Sequence, residues 1–273
     1  MGAATARELA RRGFHVLAGV RQDGDAKTIR TENIEPVILD ITRPEHIEEL
    51  AHRVASDPRR RPLRALVNNA GIGLNAPVET LPLDVWRRTF EVNLFGHIAM
   101  TQALLPALLA SSGRVVNISS LGGKIALPAG GAYSGSKFAL EAVSDSLRRE
   151  VGPLGVQVVV VEPGAVQTAM INSGTAATKQ LTAGMSPQQA ERYGRLMDAV
   201  VKYSAAFTEG GVPAGKAALV IAKAVTDRRP RTRYTIGRDA AMLTRLSRIM
   251  PDRILDRALD RELRPHYADK RSS

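Results

Sequence analysis

Three polar residues near the middle of the chain have the types and spacing of a proton-transfer site. Tyr133 and Lys137 are four residues apart, which would place them on one face of a helix, and Ser120 stands thirteen residues ahead of the tyrosine. A nearby cation favours the phenolate, so it would lower a tyrosine pKa that is about 10 in water. The pattern predicts a tyrosine that exchanges a proton near neutral pH. So short a pattern also occurs by chance on an ordinary helix face, so the surrounding elements must show whether these residues form a site.

The composition excludes several other kinds of site. The chain of 273 residues contains no cysteine, which excludes disulfides, thiolate nucleophiles and cysteine-bound metals, and we assign no metal ligand. Hydrophobic residues make up 44% of the sequence, enough for the core of one large domain over 1–273. The sequence shows no apolar run near the roughly 18 residues that cross a bilayer and no signal-peptide pattern, so we predict a cytoplasmic protein without a transmembrane segment.

The excess of basic residues raises the question of an anionic partner. A net charge of +11 and a pI near 10.4 would attract nucleic acid, anionic lipid or a phosphorylated ligand. The basic residues cluster at 59–61, at 228–233 and along the last thirty residues, with few aromatic residues to stack on bases. We therefore predict a solvated arginine-rich surface and no nucleic-acid partner.

Short apolar strands that alternate with helices would position the three polar residues. Strand patterns lie at 14–20, 36–41, 63–67, 113–120 and 156–162. Helix patterns lie at 1–12, 42–56, 83–109 and 132–151, with a polar loop over 21–25 and a bend in the third helix near Pro106. Such alternation predicts an α/β fold, a doubly wound parallel sheet with helices on both faces.

The predicted strand ends carry the polar residues. Ligands bind such sheets in the crevice outside the carboxyl ends of the strands. The residues that fall at those ends are Arg21, Asp40, Asn68, Ser120 and Pro163-Gly164. The sequence therefore predicts one binding crevice at this edge of the sheet.

Several short motifs occur together in one order and spacing. They are Asp40-Ile41, Asn68-Asn69-Ala70-Gly71, Asn93, Ser120, Tyr133 with Lys137, and Pro163-Gly164-Ala165-Val166-Gln167-Thr168. This set resembles the short-chain dehydrogenase/reductase family over almost the whole chain, and segments 234–241 and 250–256 are similar to the tail of its retinol and hydroxysteroid dehydrogenase branch. The resemblance implies a Rossmann-like fold and an NAD(P)-dependent oxidoreductase that acts on a secondary alcohol or ketone.

The resemblance also implies a role for each catalytic residue. Tyr133 would exchange a proton with the substrate oxygen, and Ser120 would hydrogen-bond that same oxygen. Lys137 would bind the nicotinamide ribose and, together with the positive ring of the oxidised cofactor, would lower the pKa of Tyr133. Asn93 would hold a water molecule against Lys137; the alternative is an asparagine that satisfies a local backbone group.

The same resemblance implies a set of cofactor-binding residues. These are Gly2, Arg21, Asp40, Ile41, Asn68, Ala70, Gly71, Tyr133, Lys137, Pro163, Gly164, Val166 and Thr168. An arginine at the end of the second family strand can pair with the 2′-phosphate of NADP, whereas an acid there would take the ribose hydroxyls of NAD. Because Arg21 occupies this position, we predict NADP, with NAD as the alternative.

The start of the chain departs from the family pattern. The family opens with a buried strand and a glycine-rich loop that holds the pyrophosphate, whereas this sequence opens with Met1-Gly2-Ala3-Ala4 at the start of a helix. We expect that the first strand and loop are missing from this chain and that Met1 is an internal methionine of a longer protein. The alternatives are a catalytically silent remnant or a binding or scaffold protein, and a related epimerase or dehydratase.

The last third of the chain predicts the substrate side. The segment 169–213 would cap the substrate, and apolar residues at helical spacing from Tyr193 to Val201 suggest a lipophilic alcohol or ketone, unless they are ordinary core. The basic helical tail, about 239–273, would dock on the domain; the alternative is a peripheral contact with a membrane. The resemblance implies a homodimer or homotetramer through the long helices on either side of Ser120.

Overall fold

The computed structural model describes residues 1–237, 242–244 and 250–267. The strands of the described chain are β1 Val16–Val20, β2 Ile34–Ile38, β3 Ala65–Asn68, β4 Arg114–Ile118, β5 Gln157–Pro163, β6 Val166–Gln167, β7 Val212–Pro213 and β8 Arg233–Ile236. The helices are α1 Gly2–Arg11, α2 Asp23–Ile29, α3 Pro44–Ala55, α4 Leu83–Phe90, α5 Gly96–Ala110, α6 Gly131–Val151, α7 Ala169–Ala183, α8 Pro187–Glu209, α9 Ala214–Thr226 and α10 Asp252–Leu263. Every predicted strand of the sequence has a counterpart among these elements.

All the strand pairs are parallel. The described strands form a four-stranded group in the order β3-β4-β5-β8, a pair β1-β2 and a short pair β6-β7. The first two groups share their cores: Val16 and Val67 pack with Ile221 of α9, while Leu17 and Leu66 pack with Met100 of α5. Helices therefore cover both faces of one Rossmann-like arrangement, as the hydrophobic pattern predicted.

The helical stretch from 83 to 110 differs from the prediction. The helix is not broken at Pro106, because α5 continues through it to Ala110, and Leu104 and Leu108 beside it are buried in the core. The bend expected there stays a prediction. The irregularity that the structure shows is a π-helical turn, Glu91–Phe95, between α4 and α5. Asn93, in the middle of this π turn, is fully buried.

The same stretch is long and apolar. Leu83–Ala110 spans 28 residues and contains a window of mean hydropathy 1.4, so by length and composition alone it would suit a bilayer, contrary to the expectation from the sequence. Half of that window is buried inside the fold. Core packing therefore accounts for much of its apolar surface.

The predicted loop over 21–25 is also partly wrong, because α2 begins at Asp23. Asp23 and Asp25 lie in the first turn of α2, where acidic side chains stabilise a helix, and Ile29 is buried at its end. The two acids resemble loop residues in the sequence. They are recognised as the start of a helix only once the structure shows that Ile29, at the end of that helix, is buried.

The predicted cap and tail are helical where they are described. A capping box of Ser186 and Gln189 starts α8, and α10 packs against α8. Met197 and Val200 of α8 are buried, so this part of the apolar stripe belongs to the core. The rings of Tyr203 and His266 meet edge to face at 5.6 Å. Residues 238–241, 245–249 and 268–273 of the predicted tail and its preceding segment lie outside the described chain.

Candidate active site

Three of the four predicted catalytic residues lie on two neighbouring elements. Tyr133 and Lys137 are on α6, one helical turn apart, and Ser120 follows the carboxyl end of β4. Ser120 starts a short 3-10 turn, Leu121–Gly123, and its Oγ accepts a hydrogen bond from the amide of Gly122 at 3.0 Å. The structure thus brings these three side chains to one end of the sheet.

Glycines surround the half-buried ring of Tyr133. A β-carbon on Gly122 would lie 3.0 Å from one edge of the ring, and a β-carbon on Gly73 would lie 3.1 Å from the other. Burial raises the pKa of Tyr133 above 10, and the hydrogen bond with Ser120 partly opposes that change. Desolvation therefore favours the neutral phenol in the chain by itself. The lowering of this pKa by Lys137 together with the oxidised cofactor stays a prediction.

Lys137 is buried, with only 4% of its surface exposed. Its Nζ donates a hydrogen bond to the carbonyl oxygen of Ile118 at 2.9 Å. Burial lowers the pKa of Lys137 from 10.5 to about 8, while the negative charge of Glu141 acts in the opposite direction. The ammonium therefore remains largely protonated at neutral pH, although it is less basic than a lysine in water.

Asn93 is completely buried and is fully engaged with protein groups. Its Oδ1 accepts from the amide of Ile72 at 2.8 Å, and its Nδ2 donates to the carbonyl of Ile72 at 2.9 Å and to Ser136 Oγ at 3.0 Å. A β-carbon on Gly71 would lie 3.4 Å from Asn93 Oδ1 and 3.9 Å from Lys137 Nζ. Asn93 thus ties the loop after β3 to α6, and its role with a water molecule stays a prediction.

Asn68 and Ala70 shape the loop after β3 in different ways. Asn68 is buried and donates through Nδ2 to Asn117 Oδ1 at 2.9 Å and to Thr101 Oγ1 at 3.1 Å. Ala70 is exposed, and its carbonyl oxygen lies 2.8 Å from Nε2 of the buried His97. The side chain of Asn68 therefore anchors the start of the loop inside the fold. Ala70 and Gly71 follow it and lie at the crevice.

Sequence reasoning missed three residues of this site, namely Ser136, His97 and Glu141. Ser136 stands beside Lys137 in the sequence, and its Oγ donates to the carbonyl of Tyr133 at 2.7 Å. A small polar residue between Tyr133 and Lys137 was a signal for this contact. His97 and Glu141 gave no such signal, because their partners are distant in the sequence.

Asp40 and Arg21 lie together at the other end of the crevice. Asp40 Oδ1 accepts from the amide and the hydroxyl of Thr42 at 3.0 and 2.7 Å. These bonds, with weaker contributions from Arg88 and Arg21, hold the pKa of Asp40 below its usual value. Arg21 itself is exposed. Ile41 packs directly against Gly96, since a β-carbon on that glycine would lie 2.7 Å from the Ile41 side chain.

The first turn of α1 faces the loop after β3. A β-carbon on Gly2 would lie 2.8 Å from Asn69 Nδ2, so these two segments are in direct contact. In the described part of the chain, Thr5 Oγ1 and Asn69 Oδ1 are buried without a hydrogen-bond partner. The amides at a helix start also lack intrahelical acceptors, so this end of α1 fits an anionic group.

The segment after β5 completes the crevice. Pro163 ends β5, and the amide of Gly164 donates to the carbonyl of Ile236 in β8 at 2.9 Å. Val166 is buried, whereas the half-buried Thr168 stands at the N-terminus of α7. These contacts place the segment beside the strand end that carries Ser120, since β4 and β5 are paired.

A cavity of about 650 Å³ lies at the opposite end of the strands and contains none of the predicted site residues. Arg114 at its wall donates to the carbonyls of Ala224 and Val225, which are the last acceptors of α9. The arginine therefore caps a helix end. The crevice at the carboxyl ends remains the candidate active site, since it contains the convergent polar groups.

A family model described as short chain dehydrogenase matches residues 1–179. The chain belongs to the short-chain dehydrogenase family. It is therefore an NAD(P)-dependent oxidoreductase by family, as the motif order had implied. The prediction of the family is confirmed; the roles of the individual residues stay predictions.

Other short-chain dehydrogenases, known from sequence or from solved structures, are similar to this chain over most of its length. Retinol dehydrogenase 5 of Mus musculus is 37% identical over 267 residues, which cover 94% of this chain and 84% of the relative. A short-chain dehydrogenase from Streptomyces avermitilis has a TM-score of 0.73 at 29% identity, covering 97% of this chain and 92% of that chain. A metagenomic short-chain oxidoreductase in complex with NADP has a TM-score of 0.64 at 25% identity, covering 86% and 91%. The similarity therefore includes the retinol dehydrogenase branch.

Proposed function

We propose that the protein transfers a hydride between NADPH and a lipophilic ketone or its secondary alcohol. The observation that carries this proposal is the meeting of Tyr133, Ser120 and the buried Lys137 at one end of the sheet. The name of the retinol dehydrogenase relative supports a lipophilic substrate. The buried Met197 and Val200 do not contribute to it, because core packing explains them.

Each of the three side chains would have its own role in the reduction of a ketone. Tyr133 gives a proton to the carbonyl oxygen, and Ser120 holds that oxygen through a hydrogen bond. The positive charge of Lys137 stabilises the phenolate that Tyr133 becomes after it has given up its proton. The cofactor supplies the hydride when it is bound. Burial raises the pKa of Tyr133, so the neutral phenol that a proton donor must have is the form present at neutral pH.

The described residues fit a dinucleotide along the crevice. Lys137 and Gly71 would face the nicotinamide ribose, and the start of α1 would face the phosphates. Asp40 would receive the adenine end. The unpartnered Thr5 Oγ1 and Asn69 Oδ1 beside α1 support this orientation, since buried polar atoms without partners are rare.

The assignment is tested by incubating the purified protein with NADPH and a panel of steroid, retinoid and simple ketones. Consumption of NADPH with formation of the matching alcohol is the expected result. Silence across all three substrate classes would contradict the proposal. Tight NADPH binding without turnover would indicate the binding or scaffold alternative instead.

Arg21 provides the test for the cofactor. We expect Arg21→Ser to weaken NADPH binding by about tenfold and to leave NADH binding within twofold, since a charged hydrogen bond to phosphate is worth about 1.5–3 kcal/mol. Fluorescence titration of both cofactors measures the two dissociation constants. Arg30→Ser removes the same charge from another exposed position and is the control. An equal change for NADPH and NADH would show that Arg21 does not read the 2′-phosphate.

The proposal includes a cytoplasmic homodimer or homotetramer. Phe95 and Phe138 are exposed at 52% and 45%, on the helical stretches before and after Ser120. Exposed aromatic side chains of this kind are typical of interfaces between subunits. Light scattering of the purified protein gives its mass in solution, and a monomer at all concentrations would reject this part.

A further inference from the structure

A buried cluster of charged side chains lies behind the candidate active site. The carboxylates of Glu141 on α6 and Glu162 on β5 are almost fully buried, with exposed fractions of 6% and 2%. Lys124 Nζ lies 2.6 Å from Glu141 Oε2 and 3.4 Å from Glu162 Oε1. Arg233 of β8 bonds both acids, at 3.0 and 3.1 Å. Arg233 also bonds the half-buried Asp145 at 3.0 Å, so two cations and three acids meet here, and their attraction offsets part of the cost of burying them.

Three members of this cluster are close in sequence to residues of the site. Lys124 stands four residues after Ser120, and Glu141 stands four residues after Lys137. Glu162 immediately precedes Pro163-Gly164. The cluster therefore connects three of the segments that form the crevice.

The turn that begins at Ser120 is packed directly on α6. A β-carbon on Gly123 would lie 2.7 Å from Ser119 Oγ and 3.1 Å from the carbonyl of Lys137. A β-carbon on Gly122 would lie 3.0 Å from the Tyr133 ring. Because no side chain separates the turn from the helix, a small displacement of the turn changes the distance between Ser120 and Tyr133.

The Lys124–Glu141 ion pair is the side-chain connection that holds the end of this turn to α6. Lys124 continues the turn, since its amide donates to the carbonyl of Leu121 at 2.9 Å. Its ammonium then reaches Glu141, one helical turn beyond Lys137. Glu141 also bonds Arg233, so its Oε2 receives both cations, at 2.6 and 3.0 Å. Glu162 Oε1 lies farther from the same two cations, at 3.4 and 3.1 Å.

We propose that Glu141 is a positioning residue, which holds Lys124 and thereby fixes Ser120 against Tyr133. This inference rests on the proposed function for its effect on turnover. Its structural part, the anchoring of segment 120–125 by Glu141, stands on the contacts alone. Removal of the charge would leave Arg233 with Glu162 and Asp145, but Lys124 with only the more distant Glu162, and the turn would loosen.

Glu141→Gln tests the proposal, since glutamine keeps the size of the side chain and removes its charge. We expect kcat to fall by about tenfold while the dissociation constant for NADPH stays within twofold, because the residue acts on Ser120 and not on the cofactor. We also expect faster hydrogen exchange at the amides of residues 122–125, whose hydrogen bonds all lie within this turn. Glu150→Gln is the matched control, because Glu150 is an exposed acid of the same helix.

A double-variant cycle separates this role from a general loss of stability. Lys124→Met should give the same local increase in exchange, and the double variant should add little to either single one, because both act through the same ion pair. Unchanged exchange at 122–125 in Glu141→Gln, relative to Glu150→Gln, would overturn the proposal whatever the activity. An inactive native protein with the local exchange effect would reject the proposed function and leave the positioning role intact. A uniform increase in exchange across the chain would also overturn it, since that indicates only lost stability.

Discussion

Replacement of Tyr133 by phenylalanine should abolish turnover and leave the fold intact. The substitution removes only the phenolic oxygen, while the ring keeps its contacts with Gly73 and Gly122. A positioned proton donor contributes about 10²- to 10⁴-fold to the rate, so kcat should fall by at least about a hundredfold. NADPH consumption under saturating ketone measures kcat, and fluorescence titration should show NADPH binding within twofold of the native protein.

A second tyrosine supplies the control for this variant. Tyr193 is on α8, where its hydroxyl donates to Glu79 at 2.7 Å on the surface. Tyr193→Phe removes the same oxygen from an exposed hydroxyl that bonds only Glu79 among the contacts described, and it should retain kcat. If Tyr133→Phe keeps the native rate, Tyr133 is not the proton donor, and the mechanism fails even if the family assignment stands.

Replacement of Lys137 by methionine should make the protein inactive and, at neutral pH, more stable. The ammonium that stabilises the Tyr133 phenolate is lost, so we expect kcat to fall by about a hundredfold or more. Stability should rise because burial lowers the pKa of Lys137 from 10.5 to about 8, which shows that the fold disfavours the charged form. The gain should be about 2 kcal/mol at pH 7, less than the full effect of the lowered pKa because the carbonyl of Ile118 loses its donor.

The stability advantage of Lys137→Met over the native protein should depend on pH. Between pH about 8 and 10.5 the unfolded lysine holds a proton that the folded one has lost. The contribution of Lys137 to the free energy of unfolding therefore increases as pH rises through this range. Below pH 8 both states are charged and the destabilising effect is fully present. The advantage of Lys137→Met should therefore shrink through this window. Urea unfolding at several pH values measures it, with Lys216→Met at an exposed position as the control; equal curves for the native protein and Lys137→Met would contradict the burial effect.

The local pattern of the sequence was enough to predict most of the sheet and the central residues of the site. The strands were visible as apolar segments, and the four-residue spacing of Tyr133 and Lys137 did place both on one helix, α6. These features depend on neighbours in the sequence. The spacing did not reveal that burial would raise the pKa of Tyr133, because desolvation depends on packing by segments far along the chain.

Features that require distant partners were not predicted. The pairing of Lys124 with Glu141 and Glu162 joins three segments, and each residue alone resembles an ordinary surface charge. The early start of α2 was missed for the related reason that Ile29 is needed to bury its end. The π turn at Glu91–Phe95 was missed because a helical pattern with one extra residue still has a helical period.

That π turn also determines which changes in length this segment can tolerate. A π turn contains one residue more than the α-helical ladder around it needs, so deletion of one residue between 91 and 95 would restore a regular helix. The deletion would rotate the residues on one side by about 100° relative to the other, and Asn93 would turn away from Ile72 and Ser136. Substitutions at the exposed positions of this turn should therefore be accepted in natural variants, while single-residue insertions and deletions should be rare.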